Sequence, residues 1–310
     1  MERLNSLRFG TRFLLIVMVL IHIIRFLFID RYATRYFVLI PALVCKGEIY
    51  RLFTSMFLHG GILHLAMNML SFTQLGASLE NRIGTLSFLY HIMIFGFLSS
   101  LLHVIIAYIM MLGGDSSYFY TGSLGFSGVL FTLIVIDNSI EGANPTRSLF
   151  GLILVPSSIY PWLLLLLMQV ILRNVSFLGH LSGLLVGYLY KFNVLDFLTP
   201  PSSFFASFER SFCRCCTAQI GYLPAETAHT SGTEYRPFSL FNWFPFRNNN
   251  DQNLDNDQNV NHNSNRNSSS AFVGQGRRVG GPLPQASSPI SNLNEEEAFE
   301  VQQEEWTNNP

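Results

Sequence analysis

Long apolar runs separated by short polar breaks occupy the chain to about residue 196, and there the pattern stops. A membrane-crossing helix needs about 20 mainly apolar residues. The runs predict six helices, roughly at 12–29, 62–79, 86–112, 123–138, 157–172 and 177–195. The fourth and fifth are short. The fourth opens on Gly125-Phe126-Ser127-Gly128, so part of its depth is expected to be non-helical backbone buried in protein. Pro156, just before the fifth, fits a helix start. The amphipathic connection 30–61 is expected to lie in the membrane interface. The expected fold class is an all-α membrane protein: six transmembrane helices in residues 1–196, then a disordered C-terminal tail.

Charge sets the expected orientation. Arg3, Arg8 and Arg12 precede the run Phe13–Phe28, with no small-x-small cleavage site after it, as in a retained signal anchor. They favour a cytosolic N-terminus. Arg31, Arg35, Lys46 and Arg51 pull the other way, but the N-terminus enters first. Six crossings then place the tail in the cytosol as well. Only 13% of the 310 residues are charged, against about 25% in a soluble domain, and the mean hydropathy is +0.31. A net charge of −1 gives no reason to expect nucleic-acid binding. Cys213, Cys215 and Cys216 lack the further ligands of a zinc site. They read either as juxtamembrane palmitoylation sites or as free thiols.

Polar groups at membrane depth are costly and mark function by default. Ser127 stands at the start of the fourth run and His180 in the first turn of the sixth. His64 and Asn68 fall in the first two turns of the second, at i and i+4 and so on one helix face. The second, fourth and sixth runs cross in the same direction. At about 1.5 Å per residue, all four side chains sit within about 10 Å of the same membrane face. Serine is a weak nucleophile until a base takes its proton, and histidine is the natural base. His64, Asn68 and the Ser127 N–H are candidate donors to an oxyanion. Gly179, Gly183 and Gly187 form a small-residue stripe on the sixth run, with Gly125 and Gly128 offering a thin surface on the fourth. Taken singly, each feature has a plainer reading. Membrane histidines such as His22, His91 and His103 often bond helix to helix, and small residues pack helices anyway. A metal site of His59, His64 and His180 is an alternative, with no Asp, Glu or Cys nearby to complete it.

Three blocks in order, His59-Gly-Gly-Ile-Leu-His64-Leu-Ala-Met-Asn68, Gly125-Phe-Ser127-Gly128 and Gly179-His180-Leu-Ser-Gly183, resemble the signatures of the rhomboid intramembrane serine proteases. Tyr50-Arg51 resembles the family's Trp-Arg pair, and Glu80-Asn-Arg-Ile-Gly84 its Glu-x-x-x-Gly turn. The resemblance spans roughly 10–195 and is nearest to the endoplasmic-reticulum, rhomboid-domain-containing group. It implies a six-helix rhomboid core, Ser127 as nucleophile, His180 as general base, His64 and Asn68 in the oxyanion hole, and no cofactor or metal. Phe131 falls where the family often stacks a tyrosine on the catalytic histidine. Phe126 replaces a small residue and is expected to narrow the site. Tyr50 stands in place of the tryptophan.

The tail divides by composition. Residues 197–271 read as a disordered linker, with eleven asparagines in 242–267. Within 272–281, Phe272, Gly274, Gly276 and Val279 resemble the segment by which derlins bind the valosin-containing AAA ATPase. Apolar pockets would take Phe272 and Val279 while the glycines lie flat as an added strand. Residues 282–310 are an acidic end, with six glutamates between Asn294 and Trp306. The expected activity is cleavage of transmembrane helices of membrane-protein substrates by a Ser-His dyad, in membrane-protein quality control at the endoplasmic reticulum. The main competitor is a derlin-like pseudoprotease that binds clients without cutting. A transporter would show paired repeats, and none is visible.

Overall fold

The computed structural model describes residues 7–29, 35–139, 145–149, 153–171, 175–212 and 217–228. Each apolar run is a helix: α1 (Phe9–Ile24), α2 (Ile62–Ile83), α3 (Thr85–Leu112), α4 (Ser127–Asp137), α5 (Tyr160–Ile171) and α6 (Phe177–Lys191). A π-helical turn, Arg25–Ile29, extends α1. The span Phe9–Phe28 and α3 are each long and apolar enough to cross a membrane. A third candidate joins α6 to the segment Asp196–Ser211 through a 94° bend. The helices α4 and α5 are apolar but shorter.

Burial explains the arrangement. Every residue of α4 from Val129 to Asp137 is buried, as expected of a helix that is apolar all round. It lies between α6, α2 and α3. Phe72, Phe88, Phe95 and Phe126 fill the space around it. On α1, Phe13, Ile16, Leu20 and Ile23 point outward, the apolar surface a lipid environment accepts.

Several expectations are corrected. The described core is not purely helical: β1 (Thr146–Leu149) pairs antiparallel with β2 (Ile153–Pro156), Arg147 opposite Val155. The hairpin brings the buried Arg147 to Asp137 at the end of α4, at 3.0 Å. Two four-residue strands are too short for a period-2 signal to register. Pro156 closes β2 and does not start a helix; α5 begins at Tyr160, with Pro161 in its first turn, where the missing N–H costs nothing. The expected linker is helical over α7 (Ser202–Phe212) and again at Ala225–Ala228. Its order comes from helix ends that need acceptors. Phe9 N–H donates to the Gly221 carbonyl (3.0 Å) and Thr85 N–H to the Leu223 carbonyl (2.8 Å), at the starts of α1 and α3. The segment 272–281, the acidic end and Cys213, Cys215 and Cys216 lie outside the described residues.

Candidate active site

Local backbone sets up the serine. Gly125 has φ +123°, a conformation that side-chain-bearing residues rarely adopt, and Ser127 then opens α4. The run before it is held by the first loop. Leu39 and Ser123 exchange backbone hydrogen bonds (3.0 and 2.8 Å), and Gly125 N–H donates to the Ser55 carbonyl (3.0 Å). The loop is itself pinned by Arg51, only 2% exposed, which donates to the Val38 and Arg35 carbonyls (2.7 and 3.0 Å) and to the Glu48 carboxylate. Tyr50 donates its hydroxyl to the same carboxylate at 2.7 Å. Burial works against that charge, but these bonds win and hold the Glu48 carboxyl below its ordinary range.

Close packing of α4 and α6 brings the histidine. A methyl group on Gly183 would overlap the Gly128 carbonyl, and one on Gly187 would lie 2.7 Å from Val135 Cβ. Thr132 donates its hydroxyl to the Gly183 carbonyl at 2.7 Å, tying the two backbones together. One turn before Gly183, His180 Nε2 lies 2.8 Å from Ser127 Oγ. With Nε2 accepting the serine proton, the neutral ring carries its own proton on Nδ1. That atom is buried and has no partner among the described residues. The Phe131 ring packs on His180, centroids 4.8 Å apart and planes at 31°. Orientation therefore rests on this ring and on the Ser127 contact, with no carboxylate behind the histidine among the described residues.

His64 occupies the other side of the serine. A methyl group on Gly125 would lie 2.8 Å from His64 Cε1 and 2.9 Å from Nε2. Gly60 N–H points at His64 Nδ1 (3.4 Å), so Nδ1 accepts and the neutral ring carries its proton on Nε2. This Nε2–H is buried, unpaired and adjacent to Ser127, which makes it an N–H donor ready for developing negative charge. Gly60 was absent from the expected site. A glycine N–H four residues before a first-turn histidine was the available signal. Asn68 is buried, and one of its amide hydrogens goes to the His64 carbonyl (2.9 Å). Its second amide hydrogen makes no bond among the described residues. The expected narrowing by Phe126 is corrected: its ring points into the core, edge-on to Phe72 at 4.8 Å. His59 packs edge-on against His64, centroids 5.4 Å apart.

A family model for the rhomboid domain matches residues 46–197. Rhomboid-like protein 15 of Arabidopsis thaliana is 34% identical over 301 residues, covering 89% of this chain and 70% of that protein. The chain belongs to the rhomboid family. Other relatives match over a smaller share of the chain. Rhomboid-type serine protease 2 of Neurospora crassa is 32% identical over 53% of this chain, and human rhomboid-related protein 4 is 33% identical over 45%. The chain spans about half the length of these two, 57% and 44%. The rhomboid domain and the apolar helices make it a helical membrane protein of rhomboid protease type.

Proposed function

We propose that this rhomboid cleaves transmembrane helices of membrane proteins with Ser127 as nucleophile and His180 as general base. The observation that carries the reading is the 2.8 Å approach of His180 Nε2 to Ser127 Oγ, between residues 53 apart in sequence. His180 removes the hydroxyl proton as Oγ attacks the scissile carbonyl. The oxyanion then forms beside His64 Nε2–H and the Ser127 N–H, with the second Asn68 amide hydrogen close by. His180 returns the proton to the leaving amine, and a water molecule, deprotonated by the same histidine, releases the acyl-enzyme. A substrate helix must unwind locally for its bond to reach the serine, so helix-breaking residues at the cleavage site favour turnover.

Sequence resemblance suggests the setting, the endoplasmic reticulum membrane, and a tail that passes clients or fragments to the AAA ATPase through Phe272, Gly274, Gly276 and Val279; the charge pattern suggests that both termini are cytosolic. Co-expression with a single-span substrate tests the chemistry. Cleavage by wild type and its loss in Ser127→Ala is the expected result. Equal outcomes across a substrate panel, with both proteins folded, would leave the derlin-like client binder as the better reading. The same cells test the tail, since Phe272→Ala should lose ATPase co-purification; unchanged recovery would remove that partner.

A further inference from the structure

A second polar concavity lies at the opposite end of the molecule. Ser87 and His91 on α3, Tyr190 on α6, Thr199 before α7 and Ser202 at its start line a cavity of about 220 Å³. Tyr190 lies ten residues beyond His180 on the same helix, so about 15 Å separates it from the serine site along the axis. The cavity is therefore not part of that site.

His91 gives the cavity its chemical preference. The residue is 5% exposed. Tyr90, Phe95, Tyr190 and Phe205 surround its ring, centroids 5.6, 5.8, 6.0 and 6.4 Å away. Its Nδ1 lies 2.7 Å from the Ser87 carbonyl. A carbonyl can only accept, so Nδ1 carries the proton and Nε2 presents a lone pair. Among the described residues, Nε2 makes no hydrogen bond. An unpartnered acceptor on a residue lining an open cavity selects a ligand that donates. The surroundings agree. Serine, threonine and tyrosine hydroxyls can accept, and Asp196, three residues before Thr199, adds negative charge within electrostatic reach of Tyr190. The neighbouring Lys191 turns its ammonium to the Tyr188 and Phe192 rings, 5.7 and 5.8 Å to their centroids.

The position of the cavity identifies the donor. The 94° bend after α6 turns the following segment across the α6 axis, so with α6 upright in a membrane that segment would run along the membrane surface. Phe197, Phe204 and Phe208, on the same segment as Thr199 and Ser202, stand exposed. Such a face fits the boundary between head groups and acyl chains. We propose that the cavity binds the primary ammonium of an aminophospholipid head group, its N–H donating to His91 Nε2. The lipid phosphate then falls at the first turn of α7, where Phe204 N–H is taken by the Pro201 carbonyl (2.9 Å) and the N–H groups of Ser202 and Ser203 come before it, and the acyl chains lie against the exposed phenylalanines. A choline head group has no N–H to donate and is discriminated against on that ground.

Native mass spectrometry of the full chain released from nanodiscs of equal phosphatidylcholine, phosphatidylethanolamine and phosphatidylglycerol reads this directly. Wild type should retain phosphatidylethanolamine over phosphatidylcholine by about fivefold to tenfold, the ratio one charge-assisted hydrogen bond supports. His91→Leu should abolish the preference. Thr199→Val, at the half-exposed rim, should weaken it and serves as the test if His91→Leu does not fold. Equal retention of the two zwitterionic lipids by wild type, or an unchanged preference in a folded variant, overturns the proposal. Preferential retention of phosphatidylglycerol also overturns it and assigns the cavity to anions.

Discussion

Two histidines of the same type are set to opposite tasks by one hydrogen bond each. Ser127 faces Nε2 of His180 as an acceptor, whereas Gly60 occupies Nδ1 of His64 and leaves its Nε2–H as a donor. Neither assignment needs a charged partner, which suits a site with little water to solvate one. In the proposed reaction His64 acts only where negative charge develops, so its removal should appear in turnover and not in binding. His64→Ala is expected to lower kcat by about 10²–10³ and leave KM near its original value. Steady-state cleavage of a quenched transmembrane peptide in detergent checks the split. A rise in KM at unchanged kcat would mean that His64 contacts the ground-state substrate.

Separation of helices is as exacting as tautomer choice. Because α4 and α6 touch backbone to backbone at Gly128 and Gly183, the Ser127–His180 distance is fixed by the absence of a side chain one turn away. Gly183→Ala should push the helices apart, at about 1–3 kcal/mol of overpacking. The loss of activity should be steeper than the loss of stability, since a displacement of about 1 Å can cost 10²-fold in rate. Cleavage measured well below the melting temperature separates the two; a folded Gly183→Ala protein with full activity would show that α6 has slack. This packing was legible in the chain, because glycines recurring every fourth residue can serve little else in an apolar helix. Helix direction and rise alone also predict that Ser127, His180, His64 and Asn68 share one end of the bundle, and the structure brings Ser127 to His180 and His64. Other features were not legible. The strand pair 146–149 and 153–156 is tied to α4 by a buried ion pair, Asp137 with Arg147, that neither strand's pattern announces. The inward turn of Phe126 depends on Phe72, 54 residues earlier. The order of α7 comes from helix ends elsewhere in the fold, which composition cannot see.

Those helix ends converge on Glu80, which joins chain segments distant in sequence. Its carboxylate is fully buried and accepts from Gly10 N–H (2.8 Å), Thr11 N–H (2.7 Å), the Thr11 hydroxyl (2.8 Å) and the Thr85 hydroxyl (2.7 Å). It therefore caps α1 from the end of α2, with its charge at the favourable pole of the helix. Segment 217–228 completes the assembly. Gly221 and Leu223 carbonyls accept from Phe9 and Thr85, and Leu223 N–H returns a bond to the Thr85 hydroxyl at 2.9 Å. Glu209 on α7 holds this segment through Ala225 N–H (3.0 Å) and the Tyr222 hydroxyl (2.7 Å). The site-bearing turns of α2 lie 16 residues from Glu80, about 24 Å along the helix. Stability and chemistry are thus built at opposite ends. A chain truncated after Pro201 gives up the three backbone-linked bonds to Phe9 and Thr85, worth about 3 kcal/mol at about 1 kcal/mol each. It should melt about 6–12 °C lower in detergent. Far below that transition, its turnover on a peptide substrate should match the full chain, because no residue beyond His180 enters the proposed chemistry. Equal melting temperatures would show that 202–228 rests on the core without supporting it. A fall in low-temperature turnover would couple the two ends through α2.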